Sequence, residues 1–122
     1  MDHVRMVALS FHCYRETDIA TARGMLVRAA QECLEAYNNN DEIRPYLANY
    51  PFEPKNIEIW MWFYQPDRRD LPPECLQFAI AINGKISYDD IDPETLLSHT
   101  MHKESFEEAV RIVNAQNHVE NK

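Results

Sequence analysis

Ile57-Glu58-Ile59-Trp60-Met61-Trp62-Phe63-Tyr64 carries large apolar groups on both sides of what its β-branched and aromatic content marks as a strand. Successive strand side chains point to opposite faces. Ile57, Ile59, Met61 and Phe63 therefore share one side, and Glu58, Trp60, Trp62 and Tyr64 the other. A strand over a single core alternates apolar with polar residues. This one predicts a sheet whose second face also needs a cover, whether a folded-back loop, another protein chain or a ligand.

Upstream, Val4 to Tyr14 alternates in the same half-apolar way and reads as a strand. Thr17 or Asp18 then caps a helix predicted over residues 18 to 37. Its apolar positions Ile19, Ala22, Leu26, Ala29, Ala30, Cys33 and Tyr37 recur at spacings that place them on one side. Asn38, Asn39 and Asn40 end it, since Asn is a poor interior residue and a good C-cap. The segment 41 to 56 holds Pro45, Pro51 and Pro54, which forbid a continuous helix or central strand. Its Tyr46, Tyr50 and Phe52 favour packing on the domain.

Downstream, 65 to 75 is a proline-bearing loop and Leu76 to Asn83 a strand. Asn83-Gly84 marks a two-residue hairpin turn, with the return through Lys85 to Tyr88. Asp92-Pro93-Glu94 opens a short turn through Leu97, and a final helix is expected over 103 to 115, followed by a frayed tail at 116 to 122. The order β-α-β-β-β-α predicts one α+β domain over 1 to 115. Its expected form is a two-layer sandwich with helices on one face of a mainly antiparallel, four-stranded sheet.

A two-residue turn sets Ala81 opposite Ile86 and Ala79 opposite Tyr88. In the matching register, Ala79 and Ala81 would form a floor beside Trp60 and Trp62, extended by Ile86 and Tyr88. His12, Ser10 and Glu58 would supply a polar rim. Trp60, Trp62, Tyr64, Tyr88, Tyr46, Tyr50, Phe52, His12 and Glu58 are accordingly the candidate binding residues.

The excess of 20 acidic over 12 basic residues, a formal charge of -8, disfavours nucleic acid and anionic membranes as partners. No apolar run has signal-peptide or membrane-spanning length, and three widely spaced cysteines suit a reducing compartment. The expectation is a soluble, cytoplasmic protein. Two glycines cannot build a phosphate-binding glycine loop, and no cofactor motif is present.

Catalytic and metal signals are weak. His99 and His102 could share a helix side, but no third ligand is fixed in sequence, so no metal is expected. His12 and Cys13 point oppositely on a strand, and Cys13 and Cys33 fit apolar patterns; Cys75 follows Pro72-Pro73-Glu74 without an adjacent base. Asp89, Asp90 and Asp92 suit turns and caps better than a calcium loop. Glu58 near His12 and Trp60 is the one acid-base constellation to test, and no catalytic residue is assigned. The expectation is a non-enzymatic interaction module of adaptor or chaperone kind that binds a protein partner or itself as a homodimer. The alternative is a small-molecule binder or small enzyme with a pocket between the sheet and the 41 to 56 loop.

Overall fold

The computed structural model describes residues 3 to 120, with side chains through Asn117. The chain is α+β, and its sheet has five strands rather than four: β1 (Val7–Cys13), β2 (Ile57–Phe63), β3 (Phe78–Ile82), β4 (Lys85–Ile91) and β5 (Ser98–Ser105), adjacent in chain order. β1 and β2 run parallel and the remaining pairs antiparallel, so the sheet is mixed. A parallel pair needs a long crossover. Helix α1 (Ile19–Asn38) provides it, and α2 (Phe106–Glu120) follows β5 directly.

Local chemistry sets the boundaries of α1. Asp18 is its N-cap, accepting from the Thr21 amide at 2.7 Å, and the Asn39 amide closes the last turn on Glu35 O at 3.0 Å. Ala22, Leu26, Val27 and Ala30 are buried, and with Phe106 and Ala109 of α2 they cover Ile57, Ile59, Met61, Phe63, Ala79, Ala81, Ile86 and Tyr88. Both helices therefore pack on the same sheet face. Asn83 and Gly84 adopt φ of 56° and 76°, the doubly left-handed turn that the dipeptide predicts, and set Ala81 opposite Ile86.

β5 follows the expected turn at 92 to 97 and replaces the first residues of the final helix. S-H-T-M-H-K-E-S is an edge strand exposed along nearly its whole length, so it lacks the apolar alternation that marks a strand in sequence. The helix begins at Phe106, where Ser105 Oγ accepts from the Glu108 amide at 3.0 Å. It continues through Gln116 to Glu120, residues expected to fray; Asn121 and Lys122 lie outside the described residues.

The 41 to 56 segment is tied to the end of α1 and the start of the first two strands. Asn38 exchanges two hydrogen bonds with the Phe52 backbone, Val4 bridges Leu47, and Phe52 is buried with its ring 6.1 Å from that of Tyr37. Asn56 fastens the last turn. It exchanges reciprocal 3.0 Å amide bonds with Asn49, accepts from the Glu53 amide and donates to Arg5 O.

Candidate interaction surface

With both helices on one side, the opposite face of the sheet is an ordered grid. The register puts Ala8, Glu58, Lys85 and Ser105 on a first cross-strand row, which Ile82 completes as the partner of Lys85. Ser10, Trp60, Ile80, Ser87 and Lys103 make the second row, and His12, Trp62, Phe78, Asp89 and Thr100 the third. Trp60, Trp62, Phe78 and Ile80 are half-buried among themselves, and Ile82 is 36% exposed.

The aromatic groups on this face support one another. The Trp60 and Trp62 rings stack at 5.8 Å, and Trp62 meets Phe78 at 5.2 Å. Glu58 accepts from Trp60 Nε1 at 2.6 Å, which fixes the indole in its rotamer. Beyond the third row, Tyr64 lies 5.6 Å from His12 and 5.9 Å from Tyr14, over which Arg68 sits at 5.1 Å. A preordered aromatic surface loses little side-chain entropy on binding.

Several expected members lie elsewhere. Tyr88, Ala79 and Ala81 are buried under the helices, because β2 pairs with β3 so that Ile59 opposes Ala81 and Met61 opposes Ala79. Phe78 and Ile80 stand beside the tryptophans instead. Phe52 is in the core next to α1, and Tyr50 is 54% exposed with Arg44 4.4 Å above its ring. Tyr46 is exposed and its carbonyl accepts from the Val4 amide, so the hydrogen bonds of this segment run to the sheet's end rather than to the tryptophans. His12 and Glu58 occupy rows two apart, about 13 Å along the strands, which dissolves the acid-base constellation expected of them.

The missed elements are the cations and a concavity. Lys85 and Lys103 are exposed diagonal neighbours and, among the described residues, neither has an acid within ion-pair distance. They border a shallow cavity of about 470 Å³ with Ile80, Ile82, Ser87 and Ser105. Asp89 lies across the same face, engaged by Ser87 Oγ at 2.6 Å and Thr100 Oγ1 at 3.5 Å. Two acids and two lysines therefore give this face a formal charge near zero, and the excess of -8 resides elsewhere.

A second polar cluster lies under the helices. Arg23 of α1 grips Glu104 of β5 with two 2.8 Å hydrogen bonds, the Tyr88 hydroxyl donates to the same carboxylate at 2.8 Å, and His102 Nε2 lies 2.9 Å from it. Burial pushes the Glu104 carboxyl up, but these hydrogen bonds and the Arg23 charge outweigh it and hold the group below its ordinary value. Burial first, then the Glu104 hydrogen bond, pushes the Tyr88 phenol well above its ordinary value. The carboxylate thus spends its hydrogen-bonding capacity inside the protein. Its evident work is to lock α1 to the sheet.

The remaining titratable candidates are similarly engaged or inert. His99 and His102 are on β5, not a helix, and each has its own carboxylate, Asp90 at 2.8 Å for His99 and Glu104 for His102. Among the described residues no three His, Cys, Asp or Glu side chains gather as a metal site requires. Burial raises the Cys13, Cys33 and Cys75 thiols, and Glu16 and Glu74 raise Cys75 further, which suppresses the nucleophilic thiolate. Asp92 accepts from the Glu94 and Thr95 amides as a turn residue.

No family model, curated protein or solved structure matches the chain. Among the described residues, no helix is long and apolar enough to cross a membrane.

Proposed function

We propose that this chain is a non-enzymatic protein-interaction module that binds through the sheet face of Trp60, Trp62, Phe78, Ile80 and Ile82. The observation carrying this reading is that both helices lie on the other face, leaving five large apolar side chains contiguous and incompletely covered. Contiguous apolar patches with a polar rim favour macromolecular contact, and Trp and Tyr dominate binding energies where such patches are buried. Ser10, Glu58, Lys85, Lys103 and Thr100 form that rim.

Photo-crosslinking in cells tests it. Benzoylphenylalanine replacing Ile80 should yield a protein adduct, whereas the same group replacing Glu32, an exposed residue of α1, should not. No adduct from position 80 would overturn the reading.

The cavity favours a second reading, a small amphiphile with an anionic head at Lys85 and Lys103 and an apolar tail on Ile80 and Ile82. The 41 to 56 loop does not line this concavity. A medium-chain carboxylate would quench or shift Trp60 fluorescence on binding there.

A further inference from the structure

We propose that the occupant of the open face is a second copy of this chain, related by a two-fold axis running along β3. This rests on the interaction reading and names its partner. A face-to-face two-fold is self-complementary only if each group lands on a suitable group of the same face.

On the grid, rotation about β3 exchanges β2 with β4 and β1 with β5, while each row meets its own row. Ile82, Ile80 and Phe78 then meet their own copies on the axis, making an apolar centre. Glu58, which has no cation partner among the described residues, lands on Lys85 of the other copy, and the symmetry makes this contact twice. Trp60 lands on Ser87, and Ser10 on Lys103, with no like-charged pair. The alternative axis, perpendicular to the strands, sets Lys85 against Asp89 but also Lys103 against its own copy and Glu58 against Trp62, so the axis along β3 is favoured as the one that pairs unlike charges without a like-charged contact.

Packed sheets cross at about 30° rather than at zero. From Ile80 at the centre of the grid, Glu58 and Lys85 lie one strand, about 4.8 Å, across and one row, about 6.7 Å, along, so that rotation displaces them by about 4.3 Å, which a lysine side chain spans and which is under the roughly 7 Å between rows. The Glu58 to Lys85 match therefore survives the crossing, while contacts at β1 and β5 shift more. Three rows by five strands give a footprint of roughly 20 by 24 Å per copy. The pair thus covers about 1,000 Å² of projected face, near the lower bound for a specific interface, so the dimer should dissociate on dilution.

Sedimentation equilibrium of the full chain, from low micromolar to several hundred micromolar, should fit a monomer of 14.4 kDa in equilibrium with twice that mass. Lys85→Glu puts acid against acid at both symmetric contacts and should weaken association at least tenfold without changing the far-ultraviolet circular dichroism. Glu58→Lys should do the same, and Glu58→Lys combined with Lys85→Glu should restore association to within a few-fold of the parent. Monomer throughout the range overturns the proposal, as do charge reversals that leave association unchanged or a combined variant no better than its parents.

The Ile80 crosslink separates the two levels of the argument, because a residue on the axis should crosslink to its own copy and give twice the subunit mass. An adduct to a different protein, with a monomeric chain, would sink self-pairing while the interaction reading stands; no adduct would sink both.

Discussion

Replacing Arg23 by Met should cost about 3 kcal/mol of folding stability, the low end of the penalty for stranding one partner of a buried ion pair. The Arg23 side chain is 12% exposed and the Glu104 side chain 2%, so water can do little to reclaim the orphaned carboxylate. Met keeps the aliphatic bulk and a similar helix propensity, so the loss reports the guanidinium rather than the helix. For a chain of this size that energy lowers the melting temperature by roughly 10 °C. The assay is urea unfolding followed by circular dichroism at pH 7.5 and one fixed protein concentration, since association also stabilises. Arg23→Met combined with Glu104→Met removes both charges and should lose less than the sum of the two single changes, leaving chiefly the unpaired Tyr88 hydroxyl. A single variant within about 0.5 kcal/mol of the parent, the range of an ordinary surface substitution, would refute the claim that this cluster clamps α1 to the sheet.

The same carboxylate gives an acid limb to stability: because its folded pKa is depressed, its contribution is complete above its unfolded value, near 4.5, and is lost as pH falls through the lower folded value. Glu104→Gln should flatten that limb in denaturation midpoints measured across pH, and an unchanged slope would count against the assignment. Tyr88 acts in the opposite sense, its raised pKa making stability fall as pH climbs above about 10, an effect Tyr88→Phe should remove. Asn56→Ala strands several partners of a side chain that is 7% exposed, and should cost about 2 kcal/mol while opening the 41 to 56 segment to proteases; limited proteolysis that is no faster than in the parent would contradict this.

Local signals in the chain were legible where one short segment carries both pattern and punctuation. Asp18, the apolar stripe through Leu26 and Ala30, and Asn39 define α1 without reference to the rest of the protein. Asn83-Gly84 likewise sets the β3 to β4 register. The register of β2 against β3 has no such signal, because the 64 to 77 connection is irregular and leaves the parity open. Its one-residue ambiguity moved Tyr88 and both alanines to the wrong face. β5 escaped notice because an edge strand with little buried surface carries no apolar alternation. The Arg23 to Glu104 pair, 81 residues apart, is visible only once β5 is placed under α1.

The dependence of self-association on salt follows from where the charge lies. Two copies of formal charge -8 with centres about 25 Å apart repel by about 11 kcal/mol in unscreened water, when treated as points. A Debye length of about 30 Å at 0.01 M leaves about 5 kcal/mol of this, and one of about 10 Å at 0.1 M leaves about 1 kcal/mol. Raising salt over that decade should therefore tighten the dimer by two to three orders of magnitude, about 1.4 kcal/mol for each. Above it, the remaining electrostatic contribution comes from the two Glu58 to Lys85 contacts, worth at most about 1 kcal/mol each at the rim, so further salt should weaken association only several-fold. The expected profile rises steeply and then declines gently. Sedimentation across both decades reads it directly, and an association constant that falls continuously from the lowest salt would mean that attraction between unlike charges dominates, which a neutral face on an acidic body does not allow.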